Sequence, residues 1–189
     1  NEATAADVSR RIAGNQRGTA MLLDALCAMD LLTKERDHYR ITRFARDYLS
    51  SHSPDYLGHI IMHHHHLVES WSRLDEAVLS GQPVRPRMNQ DGDRRRESFL
   101  MGMFNLAMRN APRLVPRIDL KGRRRLLDLG GGPGTWAAHF CQHNPELTAT
   151  VFDLPQSRPF AERIIENFDL ADRITFTAGD FHSDPLAGS

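Results

Sequence analysis

Leu126-Leu127-Asp128-Leu129, followed at once by Gly130-Gly131-Gly132-Pro133-Gly134, is the stretch on which the fold turns. A short apolar run that breaks into a glycine-rich loop reads as a buried strand leading into a tight turn. A helical pattern follows from about Thr135 to Gln142. Thr148–Asp153 is a second apolar, β-branched run, then Pro155 and a helical pattern over Arg158–Asn167. Ile174–Ala178 is a third run and ends in Gly179-Asp180. Strand, glycine loop, helix, strand and acid, in that order, is the first half of a nucleotide-binding α/β unit with a parallel sheet.

The loop glycines lack Cβ atoms, so a ligand can approach the backbone closely, and the following helix aims free N–H groups at the turn. Gly132-x-Gly134-x-x-Ala137 fits the looser dinucleotide fingerprint, so the glycines alone leave a nicotinamide cofactor open. Asp128 discriminates. A carboxylate two residues before Gly130 repels a pyrophosphate but suits a cation. S-adenosylmethionine carries a sulfonium and an ammonium and no phosphate, so an acid here favours it. Asp153, 19 residues after Gly134, stands where a carboxylate accepts ribose hydroxyls. Asp180 and Phe181 follow the third strand, where they are suited to bond the adenine amino group and cover its face.

Upstream, Thr4 and Asp7 form a capping-box pattern at a helix start, with Val8 and Ile12 on its apolar edge and Gly14 as its stop. A second helix is expected from about Arg17 to Met29, with Leu22, Leu26 and Met29 on one face. Leu31–Lys34 and Tyr39–Thr42 flank a polar turn as a hairpin. Helix, turn, helix, hairpin is the order of a winged helix. A DNA-reading helix presents Arg, Lys, Asn or Gln to base edges. This one offers Gln16 and Arg17 at its start, then Asp24 and Asp30, so a protein–protein role fits better.

Residues 57–80 carry Ile60, His64, Leu67, Trp71, Leu74 and Val78 at helical spacing, which predicts one continuous helix ending at Gly81, with His64 buried. His59, His63 and His66 share a neighbouring face but lack an acidic or thiol partner, so they read as helix surface, with no metal expected. Gln82–Asp93 reads as a loop. A further helix from about Arg96 to Pro112 or beyond carries Phe99, Met103, Phe104 and Met108, and Gly122 marks the break before the α/β segment.

The chain has 189 residues and 24 basic against 24 acidic side chains, with 40% hydrophobic residues. That composition excludes a collagen, a disulfide scaffold and a disordered tail. Residues 85–125 hold 12 basic and 4 acidic side chains, while 126–189 hold 3 and 9. The basic band lacks the aromatic partners of a nucleic-acid site and reads as solvated surface. No apolar run reaches the length of a membrane span, and no secretory leader pattern opens the sequence. Cys27 and Cys141 sit in apolar helical patterns and read as reduced, buried thiols of an intracellular protein.

Leu127–Gly134, Phe152-Asp153-Leu154-Pro155 and Ala178-Gly179-Asp180-Phe181 together resemble the class I S-adenosylmethionine-dependent methyltransferases. More closely, they look like the small-molecule O-methyltransferases of the caffeate and acetylserotonin type, whose bacterial relatives act on polyketides and other phenols. Trp71 and Leu74 followed by Gly81 and Pro83, and Phe104-Asn105-x-x-Met108, extend the likeness over nearly the whole chain. The resemblance implies the first half of an α/β Rossmann-like methyltransferase domain (123–189), a linker and connecting helix (85–122), and before them an all-α winged-helix dimerisation domain (1–84). It implies that Gly130, Gly132 and Gly134 line the methionine and ribose of the cofactor. By the same likeness Asp153 holds the ribose hydroxyls, Leu154 packs on the adenine, Asp180 and Phe181 contact it, and Phe104 and Met108 wall off the acceptor.

The implied reaction is SN2 transfer of the methyl of S-adenosylmethionine to a hydroxyl, phenolic in most relatives, of a small molecule. The implied protein is a cytoplasmic homodimer without nucleic-acid or membrane partners. Members of the family extend at both ends beyond the residues matched here, and the base histidine lies in that C-terminal extension. This chain is therefore expected to be part of a longer protein. Alone it is expected to bind the cofactor weakly without turnover, and no histidine in it is assigned as the base; His182 falls at a loop position. Relatives with hydroxylase- or decarboxylase-like chemistry share these motifs and stay open. A nicotinamide-dependent dehydrogenase and a winged-helix DNA-binding regulator with a ligand domain are the readings from other classes.

Overall fold

Strands β4 (Arg125–Leu129), β5 (Thr148–Asp153) and β6 (Ile174–Ala178) pair in parallel in that order, giving a three-stranded sheet. The structure, a computed structural model, describes residues 2–84 and 92–186. Helix α7 (Thr135–His143) connects β4 to β5, and α8 (Arg158–Asn167) connects β5 to β6. The bounds of β5, α8 and β6 are those that periodicity and punctuation predict. Parallel strands need crossover connections, and amphipathic α7 and α8 supply them.

The helices bury small faces against the sheet. Ala137, Ala138 and Cys141 of α7 and Ala161 and Ile165 of α8 meet Ala149, Val151 and Ile174 in one core, closed by Leu147 and Leu170. Each buried Leu, Ile or Val there contributes about 1.5–3 kcal/mol. Burial also pushes the Cys141 thiol above its ordinary pKa, which keeps it protonated and unreactive. Cys27 is only half-buried, contrary to the reading of both thiols as core residues.

One charged side chain ties this core together. The Arg173 guanidinium donates to the carbonyls of Cys141 (2.8 Å), Asn144 (2.7 Å) and Leu147 (2.6 Å). These carbonyls belong to the end of α7 and the entry to β5, where the helix leaves acceptors unsatisfied. Hydrogen bonds from a charged donor contribute about 1.5–3 kcal/mol each. Arg173 thereby fixes where β5 begins, and so where Asp153, at its far end, stands.

Helix α6 (Asp93–Leu114) runs through Pro112 and ends one turn later than the proline alone predicts, followed by a 3-10 turn at Val115–Arg117. The loop expected over Gln82–Asp93 falls largely on residues 85–91, outside the described residues. The expected single helix over 57–80 is instead two, α4 (Gly58–Trp71) and α5 (Leu74–Ser80). At the break the Ser72 hydroxyl donates back to the Glu69 carbonyl at 2.7 Å, and Arg73 forks onto Glu76 at 2.9 and 2.8 Å. A hydroxyl bonded to its own helix competes with the ladder. The apolar stripe is correspondingly uncovered: Trp71, Leu74 and Val78 are exposed, and so is His64, against the expectation of a buried histidine. Among the described residues no group of three or more His, Cys, Asp or Glu is placed to hold a metal ion.

The chain divides into two units, one up to Gly58 and one from His59 onward. This boundary comes earlier than the expected one after residue 84, because α4 packs on α6. Ile60 lies against Gly102, and the His63 ring packs on Phe99 at 5.2 Å.

The first unit contains β1 (Glu2–Thr4), α1 (Ala5–Arg11), α2 (Gln16–Ala28), the hairpin β2 (Leu32–Glu35) and β3 (His38–Ile41), and α3 (Arg43–Leu49). It is not all-α as expected. Short β1 pairs antiparallel with β3 and completes a three-stranded sheet of order β1-β3-β2. The run is too short to announce itself by alternation. The capping box is formed as predicted, with Thr4 and Asp7 bonding each other's backbone N–H. On α2 the buried side chains are Thr19 and Leu23, while Leu22 and Met29 face outward, so the expected core face is rotated. Asp24 is tied to β2 and β3 through Lys34 (2.7 Å) and the Tyr39 hydroxyl (2.9 Å). Among the described residues no helix is long and apolar enough to cross a membrane.

Candidate functional site

Strand register explains which acids meet. Asp128 pairs with Val151, and Asp153 lies two residues beyond Val151 on the same strand, so both carboxylates leave the same face of the sheet at its C-terminal edge. That edge is where open α/β sheets bind ligands. Asp153 pairs with Ala178, which puts Asp180 on the same parity again.

Asp153 organises the loop around it. Its Oδ2 accepts from the Gly132 N–H at 2.8 Å. Its Oδ1 accepts from the Leu154 N–H and from the Ser157 hydroxyl, both at 2.7 Å. Ser157 is buried, so this bond holds the carboxylate from behind. Asp128 is held differently: its Oδ2 accepts from the Ala137 N–H, in the first turn of α7, at 3.3 Å. Burial pushes its pKa above the ordinary carboxylate value, and the negative charge of Asp153 adds to the rise, while the Ala137 bond opposes it.

Two glycines make this geometry possible. A Cβ on Gly131 would stand 2.6 Å from the Asp128 carboxyl carbon. Gly134, the N-cap of α7, has φ +71, and a Cβ there would stand 3.1 Å from Val151 Cγ2. A left-handed residue wedged against a core strand admits only glycine without strain.

Above the carboxylates opens a cavity of about 360 Å³, within the size range of small-molecule sites. Its polar side is Asp128, Gly130–Pro133, Thr135, Asp153, Gln156 and Ser157. Its apolar side is Leu154 and Trp136 together with Phe99, Leu100, Met103, Leu106 and Ala107 of α6; Arg96 and Asn110 of the same helix complete it. Five of the residues singled out from the sequence therefore meet in one cavity: Asp128, Gly130, Gly132, Asp153 and Leu154.

Others stand elsewhere. Gly134 shapes the turn and donates to the Gly131 carbonyl at 2.9 Å, outside the lining. Asp180 closes its own turn, accepting from the His182 N–H at 3.0 Å and donating its backbone N–H to Asp184 at 2.8 Å. Phe181 is half-exposed and near the loop, its ring 3.6 Å from where a Gly130 Cβ would be.

Phe104 and Met108, expected in the wall towards the acceptor, are not among the described residues that line this cavity. The wall is the α6 face one residue round, Phe99, Met103, Leu106 and Asn110. Their steps of four, three and four were the available signal, but an apolar stripe of this kind looks like core. Among the described residues that line the cavity Arg96 is the one cation; its head is largely buried and pairs with Asp93 at 2.7 Å.

Residues 76–189 match the family model described as an O-methyltransferase domain. The 3-hydroxy-5-methyl-1-naphthoate 3-O-methyltransferase of Streptomyces sahachiroi is 34% identical over 192 residues, covering 98% of this chain and 55% of the relative. An O-methyltransferase family protein from Burkholderia thailandensis superposes with a TM-score of 0.83 at 32% identity, over 95% of this chain and 55% of that one. Human N-acetylserotonin methyltransferase, solved in complex with SAM, superposes with a TM-score of 0.80 at 25% identity, over 99% of this chain and 58% of that one. The chain thus spans about half the length of the curated relatives it matches.

The raised pKa of Asp128 makes a stability prediction. A carboxyl that is harder to ionise folded than unfolded opposes folding at pH values above its folded pKa, and that cost vanishes as the pH falls to where it is protonated in both states. Asp128→Asn is expected to melt at a higher temperature than the parent at pH 7, the gap narrowing on acidification. A thermal melt followed by circular dichroism at several pH values checks this; a variant that melts lower at pH 7 contradicts it.

Proposed function

The chain belongs to the O-methyltransferase domain family, and on that premise we propose that its cavity holds S-adenosylmethionine for transfer of the methyl group to a hydroxyl of an aromatic small molecule. The observation that carries this reading is the pair Asp128 and Asp153, brought to one cavity with an apolar α6 wall and, among the described residues, a single cation. A pyrophosphate would meet two carboxylates at the loop; a sulfonium nucleoside meets complementary charge.

Asp153 would accept from the ribose hydroxyls on the lone pairs its backbone bonds leave open. Leu154 would pack on the adenine, with Asp180 and Phe181 closing over it from the β6 turn. Gly130, Gly132 and Gly134 keep the loop free of side chains along the methionine and ribose. Asp128 supplies the negative charge that faces the cationic end, and Arg96 the positive charge for the carboxylate. When bound, the cofactor supplies a methyl group on a good leaving group. The task of the protein is alignment and exclusion of water. Phe99, Met103, Leu106 and Trp136 form an apolar surface on which an aromatic acceptor can lie flat. The general base is not assigned to any residue of this chain.

The first unit is proposed as a winged-helix dimerisation module of a cytoplasmic enzyme. Its sheet-flanked helix pair supports this, and so do the exposed apolar side chains Ile12, Met21, Leu22, Met29 and Phe44, a set typical of a covered interface. Sedimentation equilibrium is expected to give twice the chain mass; a monomer at micromolar concentration removes the dimer from the proposal.

Isothermal titration with S-adenosylhomocysteine is expected to show saturable one-to-one binding, weaker than nanomolar, and titration with NADH no heat of binding. NADH binding in preference to S-adenosylhomocysteine would replace this reading with a dehydrogenase.

A further inference from the structure

We propose that Thr135 is a ligand-binding residue, its hydroxyl hydrogen-bonded to the amino-acid end of the cofactor; this rests on the S-adenosylmethionine reading above. Thr135 opens α7, a helix of nine residues, and lines the cavity. Its side chain is 1% exposed, yet its Oγ1 has no hydrogen-bond partner. Buried polar atoms are almost always satisfied, and an orphan in the wall of a binding cavity marks where a partner arrives from outside the chain.

No local partner takes this hydroxyl. The N-cap of α7 is Gly134, with no side-chain cap bond. The carbonyl four residues back, to which a helical threonine commonly turns, is that of Gly131; it accepts from the Gly134 N–H at 2.9 Å, and the Thr135 hydroxyl makes no bond to it.

The position of Thr135 selects the part of the ligand it meets. The first turn of α7 is anchored on Asp128 through the Ala137 N–H, whereas Asp153 and Leu154 sit at the end of β5 and define the nucleoside side. Thr135 thus stands on the Asp128 side, where positive charge is welcome. A hydroxyl both accepts and donates, so it can accept from an ammonium and donate to a carboxylate. A valine of the same shape can do neither.

The test uses the chain as it stands, with two probes that share the nucleoside and thioether. S-adenosylhomocysteine has the amino-acid end and 5′-methylthioadenosine lacks it. Thr135→Val is expected to weaken the first by about tenfold or more, as loss of a hydrogen bond to a charged group does, and to leave the second unchanged. Thr135→Ser, which keeps the hydroxyl, is expected to bind both probes like the parent. If Thr135→Val does not fold, Thr135→Ala is read in the same way.

Parallel weakening of both probes, no weakening of either, or a serine variant as poor as the valine one overturns the role of Thr135 while leaving the cofactor reading intact. A parent chain that binds neither probe overturns both.

Discussion

Two half-buried carboxylates facing one cavity are the constraint around which this structure is arranged. Asp128 and Asp153 leave the same face of a parallel sheet because β4 and β5 pair in that register. Burial opposes the ionisation of Asp128, and the nearby charge of Asp153 adds to the rise in its pKa. The surrounding backbone answers with N–H groups from Gly132, Leu154 and Ala137. The glycine loop, the first turn of α7 and the turn after β5 are thus parts of one device that keeps negative charge facing a cavity.

Such a device works against the stability of the unliganded fold, a common feature of sites prepared for a charged ligand. A cation entering the cavity would offset the cost of holding Asp128 ionised under burial. The supports lie farther out. Ser157, at the cavity edge, holds Asp153 in place, and Arg173, away from the cavity, fixes the start of the strand that carries it. Neither needs to touch a ligand for its loss to be felt at the site. The opposite wall comes from α6, a helix outside the sheet unit's strand–helix alternation, so the cavity joins a charged floor to an apolar side. That combination suits a ligand with one cationic part and a flat aromatic partner.

The α/β half was readable from sequence because its signals are local. Apolar runs, a glycine loop and a strand-end acid each carry a short-range physical reason, and β5, α8 and β6 appear at the expected residues. The acids of the cavity were legible from their places at the strand ends, Asp128 just before the glycine loop and Asp153 19 residues after Gly134. What the sequence hid depends on tertiary choice. Helical periodicity at 57–80 was uninterrupted, yet Ser72 and Arg73 found side-chain bonds that end α4. The face of α6 turned to the cavity is one residue away from the Phe104 and Met108 face that the family motif favours, and both faces are apolar. The hairpin of the first unit was legible, but β1 has too few residues to show alternation, so the third strand of its sheet was not. Asp180 shares the parity of the other two acids, but the chain turns after β6 and uses its carboxylate in that turn.

Where a nucleoside lies against these carboxylates decides the matter. The most direct measurement is a crystal structure of the chain with S-adenosylhomocysteine. It should place ribose oxygens within hydrogen-bonding distance of the Asp153 carboxylate, with the homocysteine end along Gly130–Gly132 beside Asp128. A ligand bound away from these residues, with the cavity between them and α6 closed by side chains, would contradict it.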